Sequence, residues 1–530
     1  MSLRQNSYAL DVFLGRQWTR VATLVLAVSL AILSGCSSSS TPCPGTQGTY
    51  NIASLGASGT QWAYQVSGWL INANGSYSPY TAAGVFTVNG NGAINGGTDA
   101  FWGTITGGLY TINRNGTGTV ILGVSTKAGS QNLVWGITLG NPGTTNSSGS
   151  FAVIQSDSLA KSSGAAYQQN PSTLNTAPSG TFVFRTHTNA PGASITGAEN
   201  SVGLITFGVG AVSGNDDWVR GGGTGGQTLG FSGVFSTPSG GIGSITFADG
   251  LGPRTFDYFP IDANTLLLYE TDATNKGGGV GRAEAQQTPT GGFTNASLSG
   301  GFAFLSRGDT NASGAGGVSR AGQFVANGNG NITGGSLDSV RDGNPLLGQT
   351  LSASTYSFTS PSRIDGRATA TLAISGGNTI DTVFYFVSPT RAFFIVTNDP
   401  TVVADGTASQ QSSSSFTESS FSGNYTFVTD GTVSGVPVAR TGIVTATGNG
   451  ILGWALLSSA GGTLNACLIG TYTVAGNGRM VASLPQVSNR VVFYLISPGL
   501  GYAIQVDAGT QVVGGVANQN HLVTAFIPGT

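Results

Sequence analysis

Side chains able to perform acid–base or nucleophilic chemistry are scarce in this chain, and their spacing predicts no catalytic site. There are only two histidines, His187 and His521, and no Gly-x-Ser-x-Gly, His-Glu-x-x-His or Cys-x-x-Cys segment. Catalysis normally needs a nucleophile beside a base, two cooperating carboxylates or a bound metal. Because the sequence pairs no such groups, we expect no enzymatic activity, no metal and no other cofactor. We expect His187 to lie on the surface.

One acidic position recurs along the chain. Its four members are Asp157, Asp272, Asp399 and Asp507. Each ends a strand-like apolar segment, and a lone carboxylate binds Ca²⁺ only together with several other oxygens. An Asp side chain also accepts hydrogen bonds from nearby backbone N–H groups in Asx turns. We therefore favour turns over calcium sites, and we expect Asp99 and Asp338 in turns as well.

Tryptophan offers the remaining chemistry, which is stacking on a ligand. Four of the six tryptophans that follow residue 36 lie close together in the sequence: Trp62, Trp69, Trp102 and Trp135. Indole faces stack on apolar ring faces, and a barrel of about eight strands is wide enough for one small ligand. These four residues are the candidate ligand-binding set. The alternative is that they are ordinary core residues.

The composition describes a charge-poor protein that folds. Lys, Arg, Asp and Glu make up 8% of the 530 residues and the net charge is −2, whereas ordinary domains contain about 25% charged residues. Nucleic-acid binding depends on clustered Lys and Arg, so this class of partner is excluded. With 39% hydrophobic residues and 26 Phe, the chain has enough apolar material for a core despite its 85 Gly.

The N-terminal segment predicts export. Arg4, Arg16 and Arg20 precede an apolar run over residues 21–32. This run is short for a membrane span and typical of a cleavable signal. It is followed by Leu-Ser-Gly-Cys, ending at Cys36, which resembles the lipobox of bacterial lipoproteins.

That resemblance implies that Cys36 is acylated and becomes the first residue of the mature chain. Ser37 directly after it is the residue that the resemblance associates with the outer membrane. Two or three acyl chains anchor a protein stably, and the Ser-rich residues 37–48 predict a flexible tether. The alternative is a plain secretory signal with an incidental cysteine. Cys467 lies in an apolar stretch and is expected to be an inert buried thiol, with a disulfide to Cys43 as the alternative.

The chain repeats itself every 120 residues or so. A Ser-Gly pair followed by alternating aromatic residues begins at Ser179, Ser299 and Ser422, with a looser copy at Ser58. A second pattern, "GAAYQQ" and its copies, closes each unit, and a period this long indicates tandem domains. The predicted organisation is a signal peptide (1–35), a tether (36–48) and four β-repeats (49–172, 173–290, 291–413 and 414–530).

Glycine-rich loops recur inside the repeats. The stretch "VFTVNGNGAINGG" (residues 85–97) has similar copies from Gly322 and Gly442 and a weaker one from Gly203. Alternating apolar residues flank each loop, and Asn and Gly tolerate the positive φ of a two-residue primed hairpin. We therefore predict β-hairpins. A dinucleotide site would need a strand entering a long helix, which the pattern does not provide.

The predicted fold class is all-β, with four antiparallel meanders of about eight strands, because no helical period extends over ten residues after position 36. Closure into small barrels would remove exposed edges, and a β-sandwich is the alternative. Hairpins turning at Ser-Pro are apolar on both faces, as where Phe384 and Phe386 alternate with Val383, Tyr385 and Val387. One face must fill the unit and the other must be covered, so neighbouring repeats are expected to pack together.

The mature region resembles secreted Gly- and Asn-rich β-repeat proteins of soil bacteria, and this resemblance implies no activity. We expect a lipid-anchored cell-envelope protein with a structural, adhesive or interaction role. Its partners would be the membrane, through the N-terminal lipid, and a cell-surface polysaccharide or protein. The alternatives are a module that binds a neutral glycan or a small apolar ligand through the Trp-rich first repeat, and an enzyme. An enzyme would require paired carboxylates facing one cleft, and the sequence suggests none within a unit.

Overall fold

A computed structural model describes residues 50–126, 129–140, 149–188, 198–221, 224–272, 279–310, 317–358, 365–433, 436–459, 467–484, 489–506, 513–514 and 528–529. These residues belong to one compact unit that spans residues 43–530. They form four antiparallel sheets and no α-helix, which confirms the predicted all-β class. No helix in these ranges is long and apolar enough to cross a membrane.

The first two sheets are closed eight-stranded barrels in simple meander order. The first barrel consists of β1 (Thr60–Ile71), β2 (Tyr77–Val88), β3 (Ala93–Asp99), β4 (Gly103–Ile112), β5 (Thr117–Thr126), β6 (Gly129–Leu139), β7 (Ser150–Gln155) and β8 (Ala160–Gln168). The second barrel consists of β9 (Gly180–Thr188), β10 (Glu199–Phe207), β11 (Ala211–Arg220), β12 (Thr224–Phe235), β13 (Gly243–Asp249), β14 (Gly252–Asp262), β15 (Thr265–Glu270) and β16 (Gly279–Ala285). In each, the last strand pairs with the first, so closure is complete.

The third sheet has nine strands: β17 (Ser299–Thr310), β18 (Gly317–Asn327), β19 (Asn331–Arg341), β20 (Asn344–Leu351), β21 (Ser354–Ser357), β22 (Arg367–Ile374), β23 (Asn378–Ser388), β24 (Arg391–Val396) and β25 (Val402–Gln410). Pairing of β17 with both β18 and β25, and of β18 with β19, completes a ring. We call this sheet the third barrel.

The fourth barrel is nearly closed. Its strands are β26 (Ser422–Val433), β27 (Val436–Thr447), β28 (Ile451–Ser458), β29 (Cys467–Val474), β30 (Arg479–Leu484), β31 (Asn489–Ser497), β32 (Leu500–Gln505), β33 (Val513–Gly514) and β34 (Pro528–Gly529). Both two-residue strands, β33 and β34, pair with β26. A short 3₁₀ turn precedes the first strand of each barrel, at Ile52–Leu55, Pro171–Thr173, Asn295–Ser297 and Glu418–Ser420.

Strand alternation separates an inner core from an outer contact face. In β9, Phe182 and Phe184 lie in the core of the second barrel, while Val183 between them packs against residues of the third barrel. This is the two-residue period of a pleated strand with both faces covered. Burial on both faces explains why the strands carry so few charges.

The glycine-rich loops are hairpin loops, but they are longer than the predicted two-residue turns. Residues 89–92 connect β2 to β3, and only Gly90 and Gly92 have positive φ, at 79° and 94°. Asn89 Oδ1 accepts the backbone N–H groups of Asn91 at 2.8 Å and Ala93 at 3.0 Å. The asparagine side chain thus organises the loop from its first position, and the positive φ angles fall on the glycines.

The Ser-Pro hairpins place their two apolar faces as predicted. Phe384 and Phe386 fill the third barrel, whereas Val383, Tyr385 and Val387 pack on the second barrel. The other neighbouring barrels also share apolar clusters, which join the first to the second and the third to the fourth. The expectation that neighbouring repeats pack together is therefore confirmed.

Candidate functional site

The junctions between barrels share a glutamine that docks on the next barrel. Gln169 Nε2 donates to the carbonyl oxygens of Pro260 at 2.7 Å and Gly241 at 3.2 Å. Gln286 does the same with Phe386 and Asp365 of the third barrel, at 2.9 and 3.0 Å.

Gln411 repeats the arrangement at the third junction, with Leu495 at 2.7 Å and Asn477 at 3.0 Å in the fourth barrel. The residue after each glutamine also donates its backbone N–H to the next barrel, at 2.7 Å in all three junctions. We call this three-bond arrangement the glutamine clamp. Its sequence signal is the recurring Gln that closes each unit, a pattern that by itself indicates only a boundary between units.

A second repeated element is a buried carboxylate held by an Arg and a Tyr of the next barrel. Asp338, on β19, receives Arg479 Nε and Nη2 at 2.6 Å and Tyr494 Oη at 2.6 Å. The expectation of a turn at Asp338 is wrong, because this residue lies within a strand and is fully buried. Bidentate Arg–carboxylate pairing fixes the relative orientation of the two barrels.

The junction of the second and third barrels repeats this group. Asp217 receives both Arg367 Nε and Nη2 at 2.7 Å and Tyr385 Oη at 2.9 Å. Burial, and then the charge of the neighbouring Asp217, raises the pKa of Tyr385. The tyrosine therefore stays neutral and serves as a hydrogen-bond donor.

His187 also lies in this junction. Its side chain is completely buried, so the expectation of a surface position is wrong. Its Nδ1 lies 2.9 Å from Asp405 Oδ1 of the third barrel, and Arg185 and Asn200 contact the same carboxylate at 2.6 and 3.1 Å. Arg185 and Asp405 thus form a buried ion pair between the second and third barrels.

The fourth barrel returns to the first, which closes the cycle of contacts. Thr426 Oγ1 donates to the carbonyl oxygen of Leu139 at 2.8 Å, and Thr441 Oγ1 donates to Thr138 Oγ1 at 3.1 Å. A small apolar cluster accompanies them: Ala152, Ile154, Val428, Ala439 and Leu457. At every junction the first two strands of one barrel meet the late strands of another. The series of head-to-tail contacts returns to the first barrel after four copies, so it forms a closed cycle.

The structure separates the four candidate tryptophans. Trp62 and Trp135 are buried in the core of the first barrel, and Trp135 stacks edge-on against Tyr64 at 4.8 Å. Trp69 and Trp102 are only partly buried. The four do not line one open cavity, because two of them are core side chains covered on all sides. Of the four, Trp69 and Trp102 are the ones that can stack on a ligand while the core stays folded.

Trp102 belongs to an aromatic group at one end of the first barrel. Its Nε1 donates to Tyr80 Oη at 2.7 Å, and its ring packs edge-on against Phe101 at 4.9 Å. Phe101 is 43% exposed, which is unusual for a large aromatic side chain. This end of the barrel presents an accessible aromatic surface.

Paired carboxyl groups, which the sequence did not suggest, occur inside the second barrel. Burial, and then the charge of Asp249, raises the pKa of Asp216 to about 8. Thr228 lies near Asp216, although neither carboxyl oxygen has a hydrogen bond of regular geometry among the described residues. Arg254 contacts Asp249 at 3.3 Å and Glu270 at 2.8 Å. These side chains are buried, so they do not face an open cleft.

Two of the recurring aspartates, Asp157 and Asp399, stabilise turns, whereas Asp272 accepts the N–H of Thr255 from another strand at 3.4 Å. Asp157 Oδ1 accepts the N–H groups of Leu159 at 2.8 Å and Ala160 at 3.1 Å, and Asp399 Oδ1 accepts that of Thr401 at 3.0 Å. Asp99 likewise accepts the N–H groups that follow it, but it is also buried, and burial raises its pKa to about 6. Asx turns were the predicted arrangement.

Within the described part of the chain, no group of three or more His, Cys, Asp or Glu side chains is arranged to hold a metal ion. Several predicted features lie outside the described residues. These are the signal peptide, the lipidation site Cys36, Ser37 and the tether, Cys43, Asp507 and His521. The predictions about them stand as made.

No protein-family model and no curated protein matches the chain. Among solved structures it is similar to one titled "The Structure of Intact Ap-TbpB (N and C lobes)", with a TM-score of 0.18 and 10% identity over 66% of this chain and 78% of that chain. Another is the ferric citrate transporter FecA in the unliganded form, with a TM-score of 0.07 and 9% identity over 85% and 60% of the two chains. Scores this low carry no argument about function.

Proposed function

We propose that the chain is a lipid-anchored protein of the cell envelope, at the outer membrane, with a structural, adhesive or interaction role and no catalysis. One observation carries this proposal: four barrels are joined by a closed cycle of head-to-tail contacts. Such a cycle makes a rigid body from small units, which suits the display of a surface. The lipobox resemblance of Cys36 supplies the anchor, and the scarcity of charge suits neutral partners.

A binding role for the first barrel is the second candidate. The observation that favours it is the exposed ring of Phe101, which packs on the partly buried Trp102 and the buried Tyr80. Aromatic faces bind the apolar face of a sugar ring or a small apolar ligand. This candidate needs no metal and no cofactor.

The proposal is tested on cells that produce either the full chain or its Cys36→Ala variant in equal amounts. We expect the full chain in the outer-membrane fraction and stronger attachment of those cells to polysaccharide-coated or protein-coated surfaces. The purified mature chain is then incubated with glycoside, ester and peptide substrates. Turnover of any of these contradicts the proposed role, as does equal attachment of the two kinds of cell when only the full chain reaches the outer membrane.

A further inference from the structure

A groove lies where the second barrel meets the third. It has a volume of about 450 Å³ and is lined by Thr181, Leu204, Thr206, Ser213, Asn215 and Phe231, among others. Ligand pockets in proteins typically measure about 300–1,000 Å³. Gln286 of the clamp and Asp365 of the third barrel also line it, so the groove is built by the docking of the two barrels.

A threonine stands at this junction where the first junction has a glutamine. Gln61 in the first barrel pairs with Thr87, just as Thr181 in the second pairs with Thr206. Gln61 extends across its junction and donates to the carbonyl oxygen of Gly240 at 2.6 Å. Thr181 has a shorter side chain than Gln61. Its hydroxyl lies instead 2.9 Å from that of Thr206.

The groove also reaches the aromatic core. Phe231 stacks on Phe247 at 4.4 Å inside the barrel, yet its ring lines the groove. Gly214 makes this possible, because a Cβ there would lie 2.5 Å from a ring carbon of Phe231. Leu204 adds a second apolar side chain to the floor of the groove.

The described polar groups around this floor are uncharged except for Asp365. Thr181, Thr206 and Ser213 contribute hydroxyl groups, which both donate and accept hydrogen bonds. Asn215 Oδ1 is buried and has no hydrogen-bond partner in the described part of the chain. A buried acceptor without a donor is unfavourable, and a ligand donor would satisfy it.

We propose that this groove binds a neutral saccharide of one or two sugar units. Sugar hydroxyls match the hydroxyl and amide groups of the lining, and the apolar face of a sugar ring fits against Leu229, which is exposed beside the buried Leu204 and Phe231. Among the described residues that line the groove, Asp365 is the one ionisable side chain. The proposal goes beyond the proposed function, because it stands on the groove alone and holds with or without a lipid anchor.

The test uses the mature chain and a panel of neutral disaccharides: cellobiose, maltose, lactose, xylobiose and mannobiose. Binding is followed by saturation-transfer NMR and calorimetry. Thr181→Gln introduces the residue that fills the first junction, and Asn215→Ala removes the buried acceptor. Each is expected to weaken saccharide binding by about tenfold or more. Thr246→Gln, the same substitution at an exposed position of β13, is the matched control and is expected to bind as the wild type does.

Trp102→Ala distinguishes the groove from the aromatic end of the first barrel. If saccharide binding survives Trp102→Ala and is lost in Thr181→Gln, the groove is the site. Binding that is lost in Trp102→Ala but kept in Thr181→Gln and Asn215→Ala overturns the proposal, as does the absence of saturable binding to every member of the panel. Far-UV circular dichroism and thermal unfolding of each variant show whether a loss of binding reflects a loss of fold.

Discussion

The side chain of Gln411, at the end of the third barrel, donates a hydrogen bond of 2.7 Å to the backbone carbonyl of Leu495 in the fourth. The neighbouring Gln410 instead bonds within its own barrel, to the carbonyl oxygen of Ser299 at 2.7 Å. Two adjacent glutamines of one repeated segment therefore make different contacts. Gln410 bonds within the third barrel, and Gln411 joins the third barrel to the fourth.

This difference makes the first prediction. Gln411→Ala is expected to destabilise the chain by about 1–3 kcal/mol, because two carbonyl oxygens at the junction lose their donor. Gln410→Ala removes an exposed hydrogen bond within one barrel and is expected to cost less than about 1 kcal/mol. Urea unfolding measures both. Equal costs for the two variants would show that the clamp does not stabilise the junction.

The buried ion pair between the third and fourth barrels makes the second prediction. Arg479→Ala leaves the carboxylate of Asp338 buried without its bidentate partner and is expected to cost about 3–5 kcal/mol. The control is Arg341→Ala, because Arg341 is 41% exposed in its pair with Asp399. An exposed pair is worth about 0–1 kcal/mol. A loss for Arg479→Ala no larger than that of the control would rule out an orienting role for the pair.

The second barrel predicts a pH dependence. The pKa of Asp216 rises from 3.8 to about 8 in the folded chain, so the folded state binds this proton more tightly than the unfolded state. The stabilisation is complete below about pH 4 and is lost as the pH rises through about 8. Asp216→Asn cannot ionise, and its stability relative to the wild type should increase over this window. A constant difference in unfolding free energy across the window would contradict the assignment.

The lipobox resemblance predicts that Cys36 is the residue that carries the acyl chains. Cys36→Ala is expected to abolish labelling of the chain with radioactive palmitate, because no other residue is placed for acylation. Cys43→Ala, seven residues further along the chain, is the matched control and is expected to be labelled as the wild type is. Palmitate incorporation into the Cys36→Ala variant would exclude the lipoprotein interpretation.

The positions of the tryptophans make the last prediction. Trp135→Ala is expected to cost about 3–5 kcal/mol, because it leaves a large cavity in the core of the first barrel. Trp69→Ala is expected to cost less than about 1 kcal/mol, since that side chain is only partly buried. Thermal and urea unfolding measure the difference. Similar losses for both variants would contradict the separation of the four tryptophans into core and surface.

The sequence by itself determined the class of the fold and its repetition. Strand alternation has a period of two residues, and hairpin turns demand Gly, Asn or Pro, so both signals are local and can be read from neighbouring residues. The two apolar faces of the segment around Phe384 and Tyr385 even predicted that neighbouring repeats pack together. A strand must cover whatever apolar surface it carries, and this requirement is already present in its residues.

Only the tertiary structure decided which residues meet across the repeats. The contacts of Gln411 with Leu495 and of Asp338 with Arg479 join positions 84 and 141 residues apart, and no local pattern encodes such a pairing. The prediction of a surface position for His187 is wrong for the same reason, because Asp405 of another barrel covers it. The groove at Thr181 likewise depends on how closely two barrels dock. Sequence spacing fixes the strands, but burial between barrels is a property of their assembly.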